Sequence, residues 1–336
     1  MLKHRKSILP VFIIFLCLLA EGVSQAQWLD GYAYRKKFTT KPDIIPDGSA
    51  LKDFPVLVDI TNIHLRPCTN GGLLNSSTGY DIAFTDAAGT PLYYEVENYT
   101  ASTGRLVAWV RVPSVSTTVG TDFYLYFGNP AVISSQSSDQ AWSSGYKGVW
   151  HFNDWTDATS YNADATPQRG ASLSATSQIL SSARFRKASR QYAEVLNSAH
   201  LNILDSVSVS AWIYLTSINI DQKIIGNQAG DPTGGGYKFG VYPVSTNNNK
   251  YEFEIRDASN TAYLTRNVSA RNLVTGQWYY VSGVYSDIGN FLKSYYNGLI
   301  DATLATTATL GSSVGTLKIG CEPWDVDILN FDGYID

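Results

Sequence analysis

The stretch that most constrains the fold runs from Ser206 to Leu215 and alternates in character along its whole length. One face carries only apolar side chains, namely Val207, Val209, Ala211, Ile213 and Leu215. The other face carries three serines followed by Trp212 and Tyr214. This period of two, rich in β-branched and aromatic residues, predicts a β-strand in the middle of a sandwich. We expect Trp212, and Trp278 in a second such stretch, to be largely buried.

The composition is typical of an exported, β-rich protein of two domains. Charged residues make up 16% of the 336 residues, below the roughly 25% of an average globular chain. The formal net charge of -4 provides no basic surface for nucleic acid. Cys68 and Cys321 fall in different halves of the chain, and we expect them to be unpaired, although an exported protein could bridge them.

Residues 1–26 have the three parts of a secretory signal peptide. A basic start at residues 3–6 precedes an apolar run at 8–20, and Ser24-Gln25-Ala26 supplies the small residues of a cleavage site before Gln27. The apolar run is too short to span a membrane comfortably. We therefore expect a secreted or cell-surface protein with no membrane span after cleavage.

Residues 27–130 contain six short predicted strands separated by turn signals. The strands are predicted at Ala33–Thr39, Pro55–Ile60, Asp81–Thr85, Leu92–Tyr99, Leu106–Val112 and Asp122–Phe127. Many short strands at regular spacing predict a β-sandwich or barrel. Residues 131–145 are rich in serine and glutamine and are predicted to be a linker.

Several motifs of this first unit follow one another in a set order. They include Phe54-Pro-Val-Leu-Val58, Tyr80-Asp-Ile-Ala-Phe-Thr-Asp86, Leu106-Val-Ala-Trp-Val110 and Tyr124-Leu-Tyr-Phe-Gly-Asn-Pro130. The order resembles a bacterial domain of unknown function that is common in exported multidomain proteins, often before a concanavalin-like module. The resemblance implies that a concanavalin-like module follows this unit, and it implies no particular chemistry.

A second set of motifs occupies residues 146–336. It comprises Val149-Trp-His-Phe152, Val209-Ser-Ala-Trp-Ile213, Gln277-Trp-Tyr-Tyr-Val281, Tyr296-Asn-Gly298 and Phe331-Asp-Gly-Tyr-Ile-Asp336. The order resembles the laminin-G-like branch of the concanavalin A-like lectin/glucanase superfamily. The resemblance implies a jelly roll of two antiparallel sheets, so the whole chain is expected to be all-β with two sandwich domains. In that family the closing motif continues into a last strand, and we expect this strand to be cut short here.

The glucanases of this superfamily carry a catalytic run spaced Glu-x-Asp-x-x-Glu, which the stretch from Glu252 to Asp257 matches in spacing. The identities differ, because Glu254 stands in the place of the Asp and Asp257 in the place of the last Glu. The shorter carboxylate would not reach the position of the general acid. We therefore expect a solvated strand face without catalytic activity.

A second acidic pair, Glu95 and Glu97, also shares a strand face. It follows the pattern of the first unit, so we expect a structural role. His151 follows Trp150 in the opening motif of the second unit, where we expect a strand and a packed imidazole ring.

An acidic loop that opens the second unit is a candidate calcium site. Asp154, Asp157 and Asn162 place side-chain oxygens close together in sequence, and Ca²⁺ prefers several oxygen ligands. The alternative is a turn in which Asp and Asn side chains bind their own backbone. Asp325 and Asp327 form a second, weaker candidate.

A sugar site needs flat aromatic rings beside polar groups that bind hydroxyls. Trp155, Tyr161, Tyr237 and Trp324 are the candidate ligand-binding residues, because each lies in or near a polar loop. We therefore predict a non-catalytic extracellular binding or adhesion protein whose partner is a glycan or glycoprotein. The alternatives are a glycoside hydrolase or lyase of the concanavalin A-like superfamily and a structural spacer in a larger surface protein.

Overall fold

A computed structural model describes residues 28–42, 48–196, 199–230, 234–257 and 264–336. The predicted signal peptide, residues 1–26, lies outside the described residues. The described part is all-β, with twenty strands and no α-helix. Its helical turns are short 3₁₀ segments at Ile63–Leu65, Cys68–Asn70, Asp139–Ala141, Lys187–Ser189 and Ala199–Leu201. No helix in these ranges is long and apolar enough to cross a membrane.

The first unit consists of two three-stranded antiparallel sheets. Its strands are β1 (Tyr34–Thr39), β2 (Leu51–Thr61), β3 (Ile82–Asp86), β4 (Tyr94–Thr100), β5 (Arg105–Val115) and β6 (Asp122–Phe127). The orders are β1-β6-β3 and β2-β5-β4. All six strands predicted from the sequence are present, and β6 has the predicted bounds. Alternating side chains of both sheets, among them Phe84, Leu106 and Leu125, form a buried core of the unit.

The second unit is a sandwich of two seven-stranded antiparallel sheets. Its strands are β7 (Ala165–Gln168), β8 (Ser172–Ser174), β9 (Ser182–Phe185), β10 (Tyr192–Val195), β11 (Ser206–Leu215), β12 (Gln222–Gly226), β13 (Gly236–Ser245), β14 (Asn248–Arg256), β15 (Leu264–Val268), β16 (Trp278–Ser286), β17 (Phe291–Tyr296), β18 (Leu299–Ala305), β19 (Leu317–Ile319) and β20 (Gly333–Ile335). The orders are β15-β14-β13-β12-β19-β10-β7 and β18-β17-β16-β11-β20-β9-β8. A core of its own lies between these sheets.

Strand β11 lies in the middle of its sheet, as its alternation predicts. It pairs with β16 over nine residue pairs, from Ser206↔Ser286 to Tyr214↔Trp278, and with β20 on its other side. Ile213 and Leu215 are fully buried. Trp212 and Trp278 are mostly covered, in line with the expectation, but they lie outside the core. The period of two turns them away from the opposing sheet.

The half-buried aromatic residues form a second layer on the outer face of this sheet. Trp212 packs on Tyr280 with ring centroids 5.3 Å apart, and Tyr214 packs on Trp278 at 5.5 Å. Tyr334 of β20 joins them, 5.6 Å from Tyr214. Such cross-strand aromatic pairs stabilise a sheet without being part of its core.

The opening of the second unit differs from expectation in its local structure, and its closing motif forms a short strand. The opening motif, residues 149–152, runs as an irregular segment and not as a strand. The closing motif forms β20, which lies between β11 and β9 and is therefore an inner strand. Its ladder continues to Asp336, whose backbone exchanges two hydrogen bonds with Trp212, 2.8 and 3.0 Å long.

The segment 131–145, expected to be a linker, packs along the first unit. The Ser138 amide donates to the Tyr94 carbonyl at 2.9 Å, and the Ser137 hydroxyl accepts from the Val96 amide at 2.8 Å. Trp142 in the same segment is buried. Cys68 and Cys321 are both free thiols, in agreement with the expectation.

Two substitutions in β11 test the assignment of its faces. We expect Ile213→Ala to lower the free energy of unfolding by about 2–5 kcal/mol, because it leaves a cavity in the core. Trp212→Ala should lower it by less than about 2 kcal/mol, since the ring lies outside the core and is already partly in water. Urea unfolding followed by circular dichroism measures both. A Trp212→Ala variant as unstable as Ile213→Ala would contradict the assignment.

Candidate functional site

The outer face of the sheet β15-β14-β13-β12-β19-β10-β7 carries charged side chains, and we call it the charged face. In β14 the side chains of Tyr251, Phe253 and Ile255 point into the core. The alternate residues, Glu252 and Glu254, therefore point outward. The same alternation turns Lys238 of β13 and Lys318 of β19 outward, while their neighbours fill the core.

The charged residues line up in rows across the strands. Glu194, Lys318, Gly226, Lys238, Glu254 and Arg266 are successive partners in the registers of six strands. Oppositely charged residues therefore lie directly opposite each other on neighbouring strands across most of the row, and such pairs stabilise a sheet. Glu194 and Lys318 form an ion pair at one end, and Lys238 lies 3.3 Å from Glu254 in the middle.

The expectation of a solvated face at Glu252 and Glu254 is wrong. The exposed fractions of these two residues are 1% and 3%. Glu252 is paired with the buried amine of Lys223 at 2.6 Å and with Arg266 at 3.2 Å. Buried carboxylates are tolerated only when they are paired in this way.

The segment from Cys321 to Asn330 folds back over the middle of the charged face. We call this segment the covering loop. Its Pro323 lies directly above Gly226, where a Cβ atom would come within 2.8 Å of the proline Cγ. The Leu329 carbonyl accepts from the Lys223 amide at 2.8 Å, which fixes the returning end of the loop.

Glu322 anchors the covering loop to the sheet. Its side chain is fully buried and lies 3.3 Å from the amine of Lys238, which also faces Glu254. Burial raises the pKa of Glu322, although Lys238 acts against the shift. At the surface, Asp327 of the loop is bound by Arg169 at 2.6 Å and by Arg190 at 3.3 Å.

The carboxylates of the acidic run are held in ion pairs and hydrogen bonds. Burial raises the pKa of Glu252 to about 7, and the like charge of Glu254 adds to this against the attraction of Lys223. Burial alone would lower the pKa of Lys223, but Glu252, Glu254 and Asp221 outweigh it and raise the pKa. The third member, Asp257, accepts a hydrogen bond from the Thr309 hydroxyl at 2.9 Å. The first two carboxylates that match the glucanase spacing, Glu252 and Glu254, are therefore part of a buried ion-pair network.

Trp324 is the exposed ring of the covering loop. It is 51% exposed and is the one exposed aromatic residue in the described part of 187–336. Its Cβ and ring lie close to Gly230, where a Cβ would be 3.5 Å away. Next to it, the Asp325 carboxylate accepts from the Asp327 amide at 3.0 Å, which shapes the tip of the loop.

The other predicted sugar-binding rings are engaged in packing. Trp155 is half-buried and packs edge-on against Phe152, with centroids 5.6 Å apart. Tyr161 stacks on His200 at 4.0 Å, and its hydroxyl accepts from Lys147. Tyr237 is corrected as a candidate, because β13 turns it into the core with only 4% of its surface exposed.

Asp157 of the acidic loop is occupied by hydrogen bonds from its own neighbourhood. Its Oδ1 accepts from the Val149 and Thr159 amides at 2.9 and 3.0 Å. Its Oδ2 accepts from the Thr159 hydroxyl at 2.7 Å and the Ala163 amide at 3.0 Å. The arrangement corresponds to the alternative to a calcium site, a turn in which the Asp side chain binds nearby groups of the protein. Both oxygens of the carboxylate accept two hydrogen bonds each.

Asp154 and Asn162, the other two predicted ligands, are exposed and bind locally. Asp154 accepts from the amide and hydroxyl of Thr156, and the Asn162 amide donates to the Ser160 carbonyl at 3.0 Å. Within the described ranges no group of three His, Cys, Asp or Glu side chains is placed to hold a metal ion. The donor set does not fit calcium as it stands, and calcium binding stays a prediction.

The first unit contains a cavity of about 470 Å³ beside β4. Tyr80, Tyr99, Asn98 and Ser135 are among the residues that line it. Its polar atoms are mostly engaged within the protein. The Tyr99 hydroxyl donates to the Leu65 carbonyl at 2.6 Å, and the Ser135 hydroxyl accepts from the Ser137 amide. The cavity therefore has few polar groups left for a ligand.

Comparison with known families confirms both resemblances seen in the sequence. Residues 187–336 match the family described as the concanavalin A-like lectin/glucanases superfamily. Residues 78–166 match a domain of unknown function, DUF2341. No curated protein matches the chain. The sandwich of two seven-stranded sheets is accordingly a concanavalin A-like jelly roll.

Several solved structures are similar to parts of the chain. Domain 4 of AbnA, a GH43 extracellular arabinanase from Geobacillus stearothermophilus in complex with arabinotriose, is 18% identical, with 55% of this chain and 84% of that chain covered at a TM-score of 0.43. The binding domain of Paraclostridial Mosquitocidal Protein 1 is 12% identical, with 56% and 45% covered at 0.42. The CBM40 of the Ruminococcus gnavus IT-sialidase, bound to α2,3-sialyllactose, is 16% identical, with 39% and 73% covered at 0.32.

The role of Asp157 can be tested with and without metal. We expect Asp157→Ala to lower the free energy of unfolding by about 3 kcal/mol, because it leaves buried amides without an acceptor. Asp154→Ala, at an exposed position of the same loop, should cost less than about 1 kcal/mol. Thermal melts of both variants and of the unaltered chain are compared in millimolar calcium and in chelator. A calcium-dependent midpoint that disappears in Asp157→Ala would establish the metal site instead.

Proposed function

We propose that the chain is a non-catalytic extracellular protein that binds a glycan or glycoprotein through Trp324 of the covering loop. The observation that carries the proposal is the exposed indole of Trp324, 51% open to solvent, on a loop that is pinned to a buried ion pair. The family match of residues 187–336 to lectins and glucanases supports a carbohydrate ligand. The predicted signal peptide at residues 1–26 supports an extracellular location.

The chemistry of the loop suits a sugar. A flat indole can cover the apolar face of a pyranose ring, while charged and polar groups nearby bind its hydroxyls. The same loop carries Asp325 and Asp327, and Arg169 and Arg190 converge on Asp327. A platform with both kinds of group at one surface is what sugar recognition requires.

The anchoring of the loop would favour affinity. Glu322 holds the loop through Lys238, and Pro323, directly before Trp324, rests on Gly226. A ring that is held in place before the ligand arrives loses little conformational entropy on binding. The cost of burying Glu322 and Lys238 is offset only because the two charges are paired.

The hydrolase alternative is less well supported by this arrangement. A retaining glycosidase needs two carboxyl groups facing the substrate about 5.5 Å apart. Glu252 and Glu254 are instead buried and paired with Lys223 and Lys238. These carboxylates are therefore engaged in ion pairs and closed to a sugar bound at Trp324.

The test begins with a glycan array, on which the secreted chain is screened in the presence of calcium and of chelator. For the best ligand, we expect Trp324→Ala to weaken binding by about thirtyfold, or about 2 kcal/mol, as for a central aromatic contact. Trp28→Ala is the matched control, because Trp28 is similarly exposed, at 47%, but lies in the first unit. Isothermal titration calorimetry measures both affinities.

Three outcomes would contradict the proposal. Equal affinities of Trp324→Ala and the unaltered chain would move the sugar site elsewhere. Absence of binding to every glycan on the array would favour the spacer alternative. Release of reducing sugar from the ligand would favour the hydrolase.

A further inference from the structure

The two units meet at a cluster of side chains around His151. The imidazole Nε2 lies 3.1 Å from Oε2 of Glu95, and Nδ1 lies 3.6 Å from Oε2 of Glu97. Both carboxylates belong to β4 of the first unit, whereas His151 belongs to the opening segment of the second. The side chains of Glu97 and His151 are 3% and 14% exposed, so the contact is largely removed from water.

Two tryptophans of the first unit and of the segment 131–145 enclose the imidazole. Trp109 stacks on it with centroids 5.8 Å apart and planes inclined by 21°, and Trp142 lies 5.7 Å away. Their indole nitrogens donate to the same carboxylates at 2.7 Å, Trp109 to Glu97 and Trp142 to Glu95. Each carboxylate is therefore fixed in position before it meets the histidine.

Further hydrogen bonds cross the same boundary. The Asn153 amide donates to the second oxygen of Glu97 at 3.0 Å. Arg105 of β5 donates to the Ile179 carbonyl of the second unit at 3.2 Å. The contact is thus an extended, directional surface centred on His151.

The charges around His151 are almost all negative. Glu95, Glu97 and Asp336 face it, and Asp336 is itself held by the amides of Gln178 and Ile179. Arg105, which is paired with Asp59, interacts electrostatically with Glu97. A charged imidazolium can donate from both nitrogens, one to each glutamate. A neutral ring would present a lone pair to one of them.

Burial alone would lower the pKa of His151, but the hydrogen bond to Glu95 and the charges of Glu97, Glu95 and Asp336 outweigh it and raise the pKa. A histidine whose pKa is raised by a contact stabilises that contact fully below its ordinary pKa of about 6.5. The stabilisation is lost as the pH rises through the raised value. The contact should therefore be strongest in mildly acidic solution and weaken toward alkaline pH.

We propose that protonation of His151 fastens the two units to each other, so that the chain is one body in mildly acidic solution and two separable units in alkaline solution. The contact of protonated His151 with Glu95 and Glu97 would fix the orientation of the second unit, and of its covering loop, relative to the first unit. Histidine suits this role because its charge changes within the physiological range of pH. The proposal is independent of any glycan.

The test uses the secreted chain without ligand, at pH values from 5 to 9. Differential scanning calorimetry should show one cooperative unfolding transition at pH 5.5 and two separate transitions at pH 9. His151→Gln should show two transitions at every pH. His64→Gln is the matched control, since His64 is exposed on the first unit, and it should behave like the unaltered chain.

A second measurement addresses the proton directly. The imidazole resonances of His151, assigned by their absence in His151→Gln, are followed by NMR as the pH is raised. The unaltered chain should titrate above pH 6.5, and the double variant Glu95→Gln with Glu97→Gln should titrate at lower pH. A midpoint that does not fall in the double variant would overturn the proposal, as would separate unfolding transitions in the unaltered chain at pH 5.5.

Discussion

The candidate site depends on one buried ion pair, between Lys238 of β13 and Glu322 of the covering loop. Lys238 also lies 3.3 Å from Glu254, so a single amine faces the carboxylate of the sheet and that of the loop. An isolated charge could not be buried here, because its desolvation would cost several kcal/mol. The pairing lets the loop close over the sheet, and closure in turn holds Trp324 at the surface. Loss of the pair would release the loop and expose the row of charges beneath it.

The second unit uses the two faces of its strands for different purposes. One face of each seven-stranded sheet fills the common core. The other face of one sheet carries ion pairs under the covering loop, and the other face of the second sheet carries aromatic pairs such as Trp212 with Tyr280. Both outer faces are partly covered, which explains why a strand with large side chains on both faces lies in the middle of its sheet.

The strands could be predicted from the sequence because alternation is a local signal, and the bounds of β6 and β11 agree with the prediction. The pattern cannot show whether an outward face is solvated, and the burial of Glu252 depends on Lys223 and Arg266, which come from neighbouring strands. Tyr237 is wrong as a sugar-binding candidate for a related reason, because the alternation along β13 turns its side chain into the core. The hydrogen bonds of Asp157 join residues close in sequence, so the pattern of Asp and Asn in the loop is enough to predict a turn there. The cluster around His151 joins residues that are far apart in the sequence, so no local pattern predicts it.

The central claim, that the ring of Trp324 contacts a glycan, is tested most directly by the indole N–H resonances of the eight tryptophans. These are recorded by NMR while the best glycan from the array is added. The account predicts that the resonance of Trp324, assigned with Trp324→Ala, shifts most, while those of the packed Trp155 and the distant Trp28 stay in place. A shift centred on Trp278, or no shift at Trp324 when the sugar is bound, would contradict it.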